Sequence, residues 1–276
     1  MIEYIKTKDH FNTQEIFVLE YIEALDLLKT SPSPKNLEKY YAHQDYISHT
    51  DNNKTKIDKI YQKVKNYSLI KKVQLINKLD VKEKRILDIG AGTGDFLKIA
   101  SKDKWKIEGV EPNQYARQKA SEKNIVLQER IEKLKNEKFD VITLWHVLEH
   151  LPDLENQVKK INNLLTERGY LIIAAPNYKS YDAHYYKDYW AAFDTPRHLW
   201  HFSKKSIQLL FIEHNIKLIK TKPMLFDSFY VSLLSEKYKT GKNNYMKAFL
   251  IGLISNIKGL FTKEYSSHIY ILQKIK

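Results

Sequence analysis

Three glycines at alternate positions open the chemistry of this chain: Gly90, Gly92 and Gly94, in the run Arg85-Ile86-Leu87-Asp88-Ile89-Gly90-Ala91-Gly92-Thr93-Gly94-Asp95-Phe96. An apolar strand enters this turn and a helix opens directly after it. Glycine has no Cβ, so a ligand can lie against the bare backbone. The unpaired N–H groups and positive dipole end of the following helix point at the same place. Twenty-one residues beyond Gly90, a second strand ends in Glu111. A carboxylate there can accept hydrogen bonds from both hydroxyls of a ribose. Strand, glycine turn, helix and a strand ending in an acid read together as a site for a nucleoside cofactor. The dinucleotide fingerprint G-x-G-x-x-G/A wants a third small residue. Asp95 stands in that place and argues against NAD.

Further along, Trp145 and His146 follow an apolar strand, at the carboxyl edge where ligands bind in such sheets. An indole face attracts a cation. The stretch His146-Val147-Leu148-Glu149-His150 spells H-x-x-E-H, an inverted zinc-protease pattern. That pattern needs a helix and a further ligand. Here it leaves a buried strand directly and meets Pro152, so no metal is expected. Segment 177–203 is long and rich in aromatics, and loops of that kind are usually functional. Within it, Arg197 could clamp an anionic group bidentately. His198 could act as a base. The competing reading is a loop staple between Asp194 and Arg197, with Ser203 capping the next helix.

The elements that must position these residues follow from periodicity. Strands are expected near 85–90, 106–111, 125–128, 139–144, 170–175, 216–222 and 267–272, and helices near 95–102, 113–123, 154–165 and 204–214. Such alternation implies a parallel sheet covered on both faces. Residues 14–29 carry apolar side chains near helical spacing, although a short strand followed by a helix also fits. Ser31-Pro32-Ser33-Pro34 breaks that stretch. The aromatic residues Tyr40, Tyr41, Tyr46 and His49 follow, then a lysine-rich amphipathic helix over 53–79.

The glycine turn preceded by Asp88 resembles motif I of the class I S-adenosylmethionine (SAM) dependent methyltransferases. Val110-Glu111-Pro112-Asn113 resembles the ribose-binding end of their second strand. Phe139–Leu151 resembles their fourth strand and its loop, and Gly169–Asn177 their fifth. The likeness covers roughly 85–220 and points to the small-molecule branch typified by quinone-pathway O-methyltransferases. It implies a Rossmann-like α/β sheet of seven strands, the last antiparallel, with an N-terminal helical lid over 1–80. The methyltransferase domain would fill 81–276, with substrate-side insertions at 177–203 and 223–265. The implied cofactor is SAM, with S-adenosylhomocysteine (SAH) as product, and the implied partner is a small-molecule acceptor. Gly90, Gly92 and Gly94 would line the amino-acid portion and ribose. Asp88 would steady the loop, Glu111 would hold the ribose, and Asn113 would touch the adenosine. Glu129 and Arg130 would border the adenine, and Trp145 and His146 the methionine end. Tyr46 and its neighbours would fold over the cofactor, while Arg197, His198 and His146 would serve catalysis.

Composition narrows the field. With no cysteine there is no disulfide, no cysteine-held cluster and no cysteine nucleophile. The formal charge is +13, yet of 46 basic residues five are arginine: Arg85, Arg117, Arg130, Arg168 and Arg197. Nucleic-acid readers lean on arginine. A solvated lysine surface is therefore expected, not an RNA-directed methyltransferase, which stays as an alternative beside a SAM-binding module that no longer catalyses. No signal-peptide pattern opens the chain and no window reaches the length of a bilayer span, so a cytoplasmic protein is expected. Residues 246–261 are apolar and interrupted. They read either as a helix packed on the substrate side or as a helix touching a membrane surface.

Overall fold

The computed structural model describes residues 1–34, 36–41, 56–134 and 137–275. The chain divides into two compact units, one of Met1–Ala42, His146–Val158 and Ile173–Ile271, the other of His43–Trp145, Lys159–Ile172 and Leu272–Lys276.

The second of these units carries the glycine turn. Helix α2 (Lys56–Ile76) packs on α3 (Asp95–Lys102). Strand β4 (Arg85–Ile89) pairs in parallel with β5 (Lys106–Val110) on one side and β6 (Phe139–Trp145) on the other. β4 and β6 are near-continuous apolar runs, as strands buried on both faces must be. Gly109 on β5 is needed for close packing, because a Cβ there would lie 2.5 Å from Leu127 and 2.6 Å from Leu97. Helix α4 (Gln114–Ser121) follows, with Asn113 as its cap. After α5 (Leu154–Leu164) comes β7 (Leu165–Pro176).

The strand order of the main sheet is β5-β4-β6-β7-β10-β9, with β9 at Ile216–Pro223 and β10 at Ser267–Lys274. At one end of β7 the Asn177 amide donates to the Ser266 carbonyl. At the other, Gln273 donates to the Arg168 carbonyl. β10 therefore runs antiparallel to β7, as expected. Among the described residues the sheet has six strands where seven are expected. The strand expected at 125–128 shrinks to a single parallel bridge between Val110 and Gln128. It lies at the open edge, with Val126 exposed, and two hydrogen bonds around Gln128 are all that tie it to β5 and Glu111.

The other unit begins with a correction. The part of the expected helical lid before residue 32 is instead an antiparallel sheet of β1 (Ile2–Lys8), β2 (Ile16–Ile22) and β3 (Leu27–Ser31), joined by the two-residue β8 (Trp200–His201). Phe17 and Leu19 are buried and their neighbours are not, a period of two. The apolar residues at 16, 19, 22 and 25 mimic helical spacing, but the β-branched and aromatic run Ile16-Phe17-Val18 favours a strand. Among the described residues of the expected lid, the single turn α1 (Glu38–Tyr41) and α2 are helical, and Tyr46 and His49 lie outside the described residues.

Segment 177–203 is also not an open loop. It forms α6 (Tyr181–Tyr186) and two short 3-10 turns. Its Tyr178, Tyr186, Trp190 and Phe193 are buried with Leu19, Leu28, Val231 and Ile251 in this unit's core. Then come α7 (Lys204–Ile212), α8 (Asp227–Thr240) and α9 (Tyr245–Thr262).

Candidate active site

The turn after β4 is built for backbone exposure. Gly90, Gly92 and Gly94 all take positive φ, +71°, +53° and +74°. A Cβ at Gly92 would meet nothing within 4 Å, so the space over it is open. The Glu111 carboxylate accepts from the Gly92 amide and from the Asn113 amide, both at 2.9 Å. Two backbone donors fix the carboxylate beside the open turn, with acceptor capacity left on both oxygens. Asn113 turns its side-chain oxygen to the Ala116 amide and caps α4. Glu129 and Arg130 pair with each other at 3.5 Å, with the Arg130 side chain in solvent.

Asp95, the residue that breaks the dinucleotide pattern, locks the turn. Its carboxylate takes Lys123 at 2.5 Å and Lys65 of α2 at 2.8 Å. Lys123 also donates to the Thr93 carbonyl at 3.2 Å. A small residue would pack there; an aspartate instead ties helix and turn together through two ammonium groups.

Asp88 lies opposite Thr143 across the β4–β6 register, and the Thr143 hydroxyl donates to it at 2.6 Å. Burial pushes the Asp88 carboxyl up to about 7, against the Thr143 hydrogen bond and the nearby Lys72 ammonium. Trp145 meets Phe96 edge-on at 5.4 Å, and Lys72 Nζ stands 4.3 Å from the centre of its ring. A cation thus stands over one face of the indole. Its Nε1 is buried with no hydrogen-bond acceptor among the described residues. An open glycine, a carboxylate with spare lone pairs and an orphaned indole N–H fit a nucleoside cofactor with further polar groups.

The other unit holds a second polar cluster. His146 follows β6 with φ +57° and its amide on the Ala174 carbonyl. Its ring nitrogens lie 3.3 Å from Glu149 and 3.3 Å from Asp227. Partial burial opposes protonation, but these carboxylates outweigh it and raise the imidazole to about 9. Glu149 is buried, which alone would raise its pKa; His146, with His198 and His150 behind it, holds the carboxyl below its usual range. Neither Glu149 oxygen has a well-formed hydrogen bond among the described residues.

His150 Nδ1 lies 3.0 Å from the Arg197 carbonyl and 3.0 Å from the Tyr41 hydroxyl, and the carbonyl, an acceptor alone, favours the proton on that nitrogen. Burial and His198 push His150 down to about 4. His198 Nδ1 sits 2.9 Å from the Ala192 carbonyl and is protonated by the same logic. The two rings meet edge to face at 4.5 Å. Ligand atoms of Glu149, His150 and His198 all lie within 4.8 Å of one another. Two imidazoles with their protons tied back to carbonyls, facing a carboxylate, can take a proton or bind a cation.

Arg197 requires a correction. It is 1% exposed, with its guanidinium on Asp194 at 2.6 Å, on Asp9 at 2.9 Å and on the Tyr40 carbonyl at 3.2 Å. A fork engaged on two carboxylates and a carbonyl does not clamp a substrate. The staple reading is the one observed, and Ser203 caps α7 in a reciprocal capping box with Ser206. Sequence reading missed Lys65, Lys72, Lys123 and Thr143, which reach the turn from other elements, and Asp227, which pairs with His146 from α8. Glu149 and His150 were flagged by the H-x-x-E-H pattern, although in a 3-10 turn (Leu148–His150) and not on a helix.

Comparison with known proteins agrees with this geometry. A family model described as a methyltransferase domain matches residues 61–221. The ubiquinone biosynthesis O-methyltransferase of Histophilus somni is 32% identical over 109 residues, 34% of this chain and 46% of that protein. The chain thus spans about half the length of the curated relatives it matches. Among solved structures, the magnesium protoporphyrin IX methyltransferase of Synechocystis PCC 6803, with bound SAH, superposes with a TM-score of 0.58 at 12% identity, over 87% of this chain and 100% of that one. A Thermotoga maritima SAM-dependent methyltransferase, described as a possible histamine N-methyltransferase, gives 0.52 at 20% identity over 75% and 89%. These structures share the fold, and the family model covers more than half of the sequence. The chain belongs to the class I SAM-dependent methyltransferases.

Proposed function

We propose that this protein transfers the methyl group of SAM to a small-molecule acceptor and releases SAH. One observation carries the reading: the Glu111 carboxylate, fixed by the Gly92 and Asn113 amides beside an open, left-handed glycine. Glu111 holds the ribose hydroxyls. Asn113 and Glu129, on the loops flanking Glu111, border the nucleobase. Asp88, ionised above about 7, receives the ligand's ammonium, directly or through water. Lys72 pairs with its carboxylate instead of leaving Trp145 to the sulfonium.

Bound SAM supplies an electrophilic methyl carbon for in-line attack by the acceptor. The protein's own contribution is largely positional. For an acceptor hydroxyl, His198 takes the proton at Nε2, since its Nδ1–H is committed to Ala192. Glu149 stabilises the imidazolium that forms. Arg197 acts as a positioning residue, holding the loop that carries His198 through Asp194 and Asp9.

Incubation with methyl-labelled SAM and fractionated cell extract tests the reading. Label passing to a small molecule supports it, whereas label on RNA or no transfer by a SAM-binding chain overturns it. His198→Ala should lower turnover by about 10²–10⁴-fold, as for a lost general base, with SAM affinity unchanged.

A further inference from the structure

Helix α9 is built inside out. Apart from Ile251, which enters this unit's core, its buried stripe is small: Ala248, Gly252, Ser255 and Gly259. A Cβ at Gly252 would lie 2.8 Å from Phe229, and one at Gly259 2.6 Å from Tyr265, so the helix is pressed hard against its neighbours on that side. Ser255 anchors it by donating to the buried Asp182 at 2.6 Å. The large apolar side chains stand on the opposite side. Met246, Phe249, Leu250, Ile257, Leu260 and Phe261 are all exposed, Met246 at 77% and Phe261 at 82%. At roughly 100° per residue these positions sweep about half of the helix circumference without a charged interruption. A soluble helix places such a stripe toward the core, and an exposed apolar patch of this size marks an interaction surface.

The charges around it select the occupant. From Lys237 to Lys263 there are six lysines and no aspartate or glutamate. Lys247 and Lys258 border the apolar stripe on one edge, Lys247 beside Glu236 at 3.2 Å and Lys258 over the Tyr181 ring, and the other four lysines carry the net positive charge of the segment, which Glu236 and Glu264 flank. A second copy of this chain would set six lysines against six, within a molecule of formal charge +13. An anionic bilayer surface complements both features. No helix among the described residues is long and apolar enough to cross a membrane, so α9 would lie in the interface and not span it.

We propose that the exposed face of α9 docks this protein on an anionic lipid surface. The claim stands apart from the methyl-transfer reading, since it uses none of the residues assigned to the cofactor or the acceptor. Flotation of the full chain tests it, with phosphatidylcholine vesicles and with vesicles in which a third of the lipid is phosphatidylglycerol. The protein should float with the anionic vesicles roughly tenfold or more better than with the neutral ones, and added salt should weaken the difference. Phe249→Asp with Phe261→Asp should abolish flotation, with the circular dichroism and SAM affinity of the wild type. Lys242→Glu, at a solvent-exposed turn, should reduce it. Absence of flotation with anionic vesicles would overturn the proposal. So would sedimentation showing a dimer that the paired Phe→Asp variant disperses, because a second copy would then cover the face.

Discussion

The glycine turn with Glu111 and the aromatic segment 177–203 are both dense in residues that could do chemistry, and they resolve in opposite ways. Around the turn, polar groups are held in place but not used up. Glu111 is fixed by two amides and keeps lone pairs, Gly92 faces open space, and Trp145 Nε1 is buried without an acceptor. In 177–203 the main charged groups are engaged inside the protein. Asp182 accepts from Trp190, Ser255 and Ser266, and Arg197 bridges Asp9 and Asp194. A binding region shows fixed donors and acceptors with capacity left over. A structural region shows the same residue types with most of it taken up, although Tyr186 Oη and Thr195 Oγ1 have no hydrogen-bond partner among the described residues. His198 is a further exception within the second region, since one of its ring nitrogens lies within 4.8 Å of ligand atoms of Glu149 and His150.

Four variants can break or sharpen that contrast. Gly92→Val should remove all detectable SAM binding by filling the open space. It should cost only the strain of a positive φ, about 1–2 kcal/mol, because its Cβ meets no neighbour. A collapse of the fold instead would make the turn structural. Arg197→Met should do the reverse, lowering unfolding free energy by about 3–5 kcal/mol by stranding the buried Asp9 carboxylate and the partly exposed Asp194 while leaving the SAM dissociation constant alone. Weaker SAM binding with intact stability would return Arg197 to a ligand-binding role. Asp88 comes next. Its carboxyl sits near 7, so SAM affinity should rise as pH climbs through that value and level off above it. Asp88→Asn should flatten the profile; an identical slope in calorimetry would assign the titration elsewhere. The smallest effect belongs to His146. Its folded pKa of about 9 lies above the ordinary 6.5, so its contribution to stability is complete below the lower value and lost as pH rises to the upper. Urea midpoints of wild type and His146→Gln should converge across that window, and a constant gap would remove the ion pair with Glu149 and Asp227 from the account.

Much of the cofactor side was legible because its determinants are local. The strand β4, the glycine turn and Glu111 each announce themselves within a dozen residues. What failed depends on contacts distant in sequence. Asp194 and Arg197 suggested a staple three residues apart, but nothing near them revealed Asp9. The aromatics of 177–203 could equally line a pocket or fill a core, since hydrophobicity does not say which side of a wall a ring is on. Residues 16–25 satisfy a helical and a strand pattern together, and the partner strands β1 and β3 decide between them. In α9 the signal was present as small residues at 248, 252, 255 and 259, a stripe that reads as the packed side only once the large residues opposite it are seen to be exposed.

The account rests on Glu111, and calorimetric titration of SAM into wild type and Glu111→Ala tests it most directly. SAM should bind the wild type with measurable heat while NAD gives none. The variant should bind more weakly by about 1.5–3 kcal/mol, the range for hydrogen bonds to a charged group, with an unchanged melting temperature. Heat from NAD and none from SAM, or a SAM dissociation constant indifferent to Glu111→Ala, would contradict the placement of the cofactor at the glycine turn.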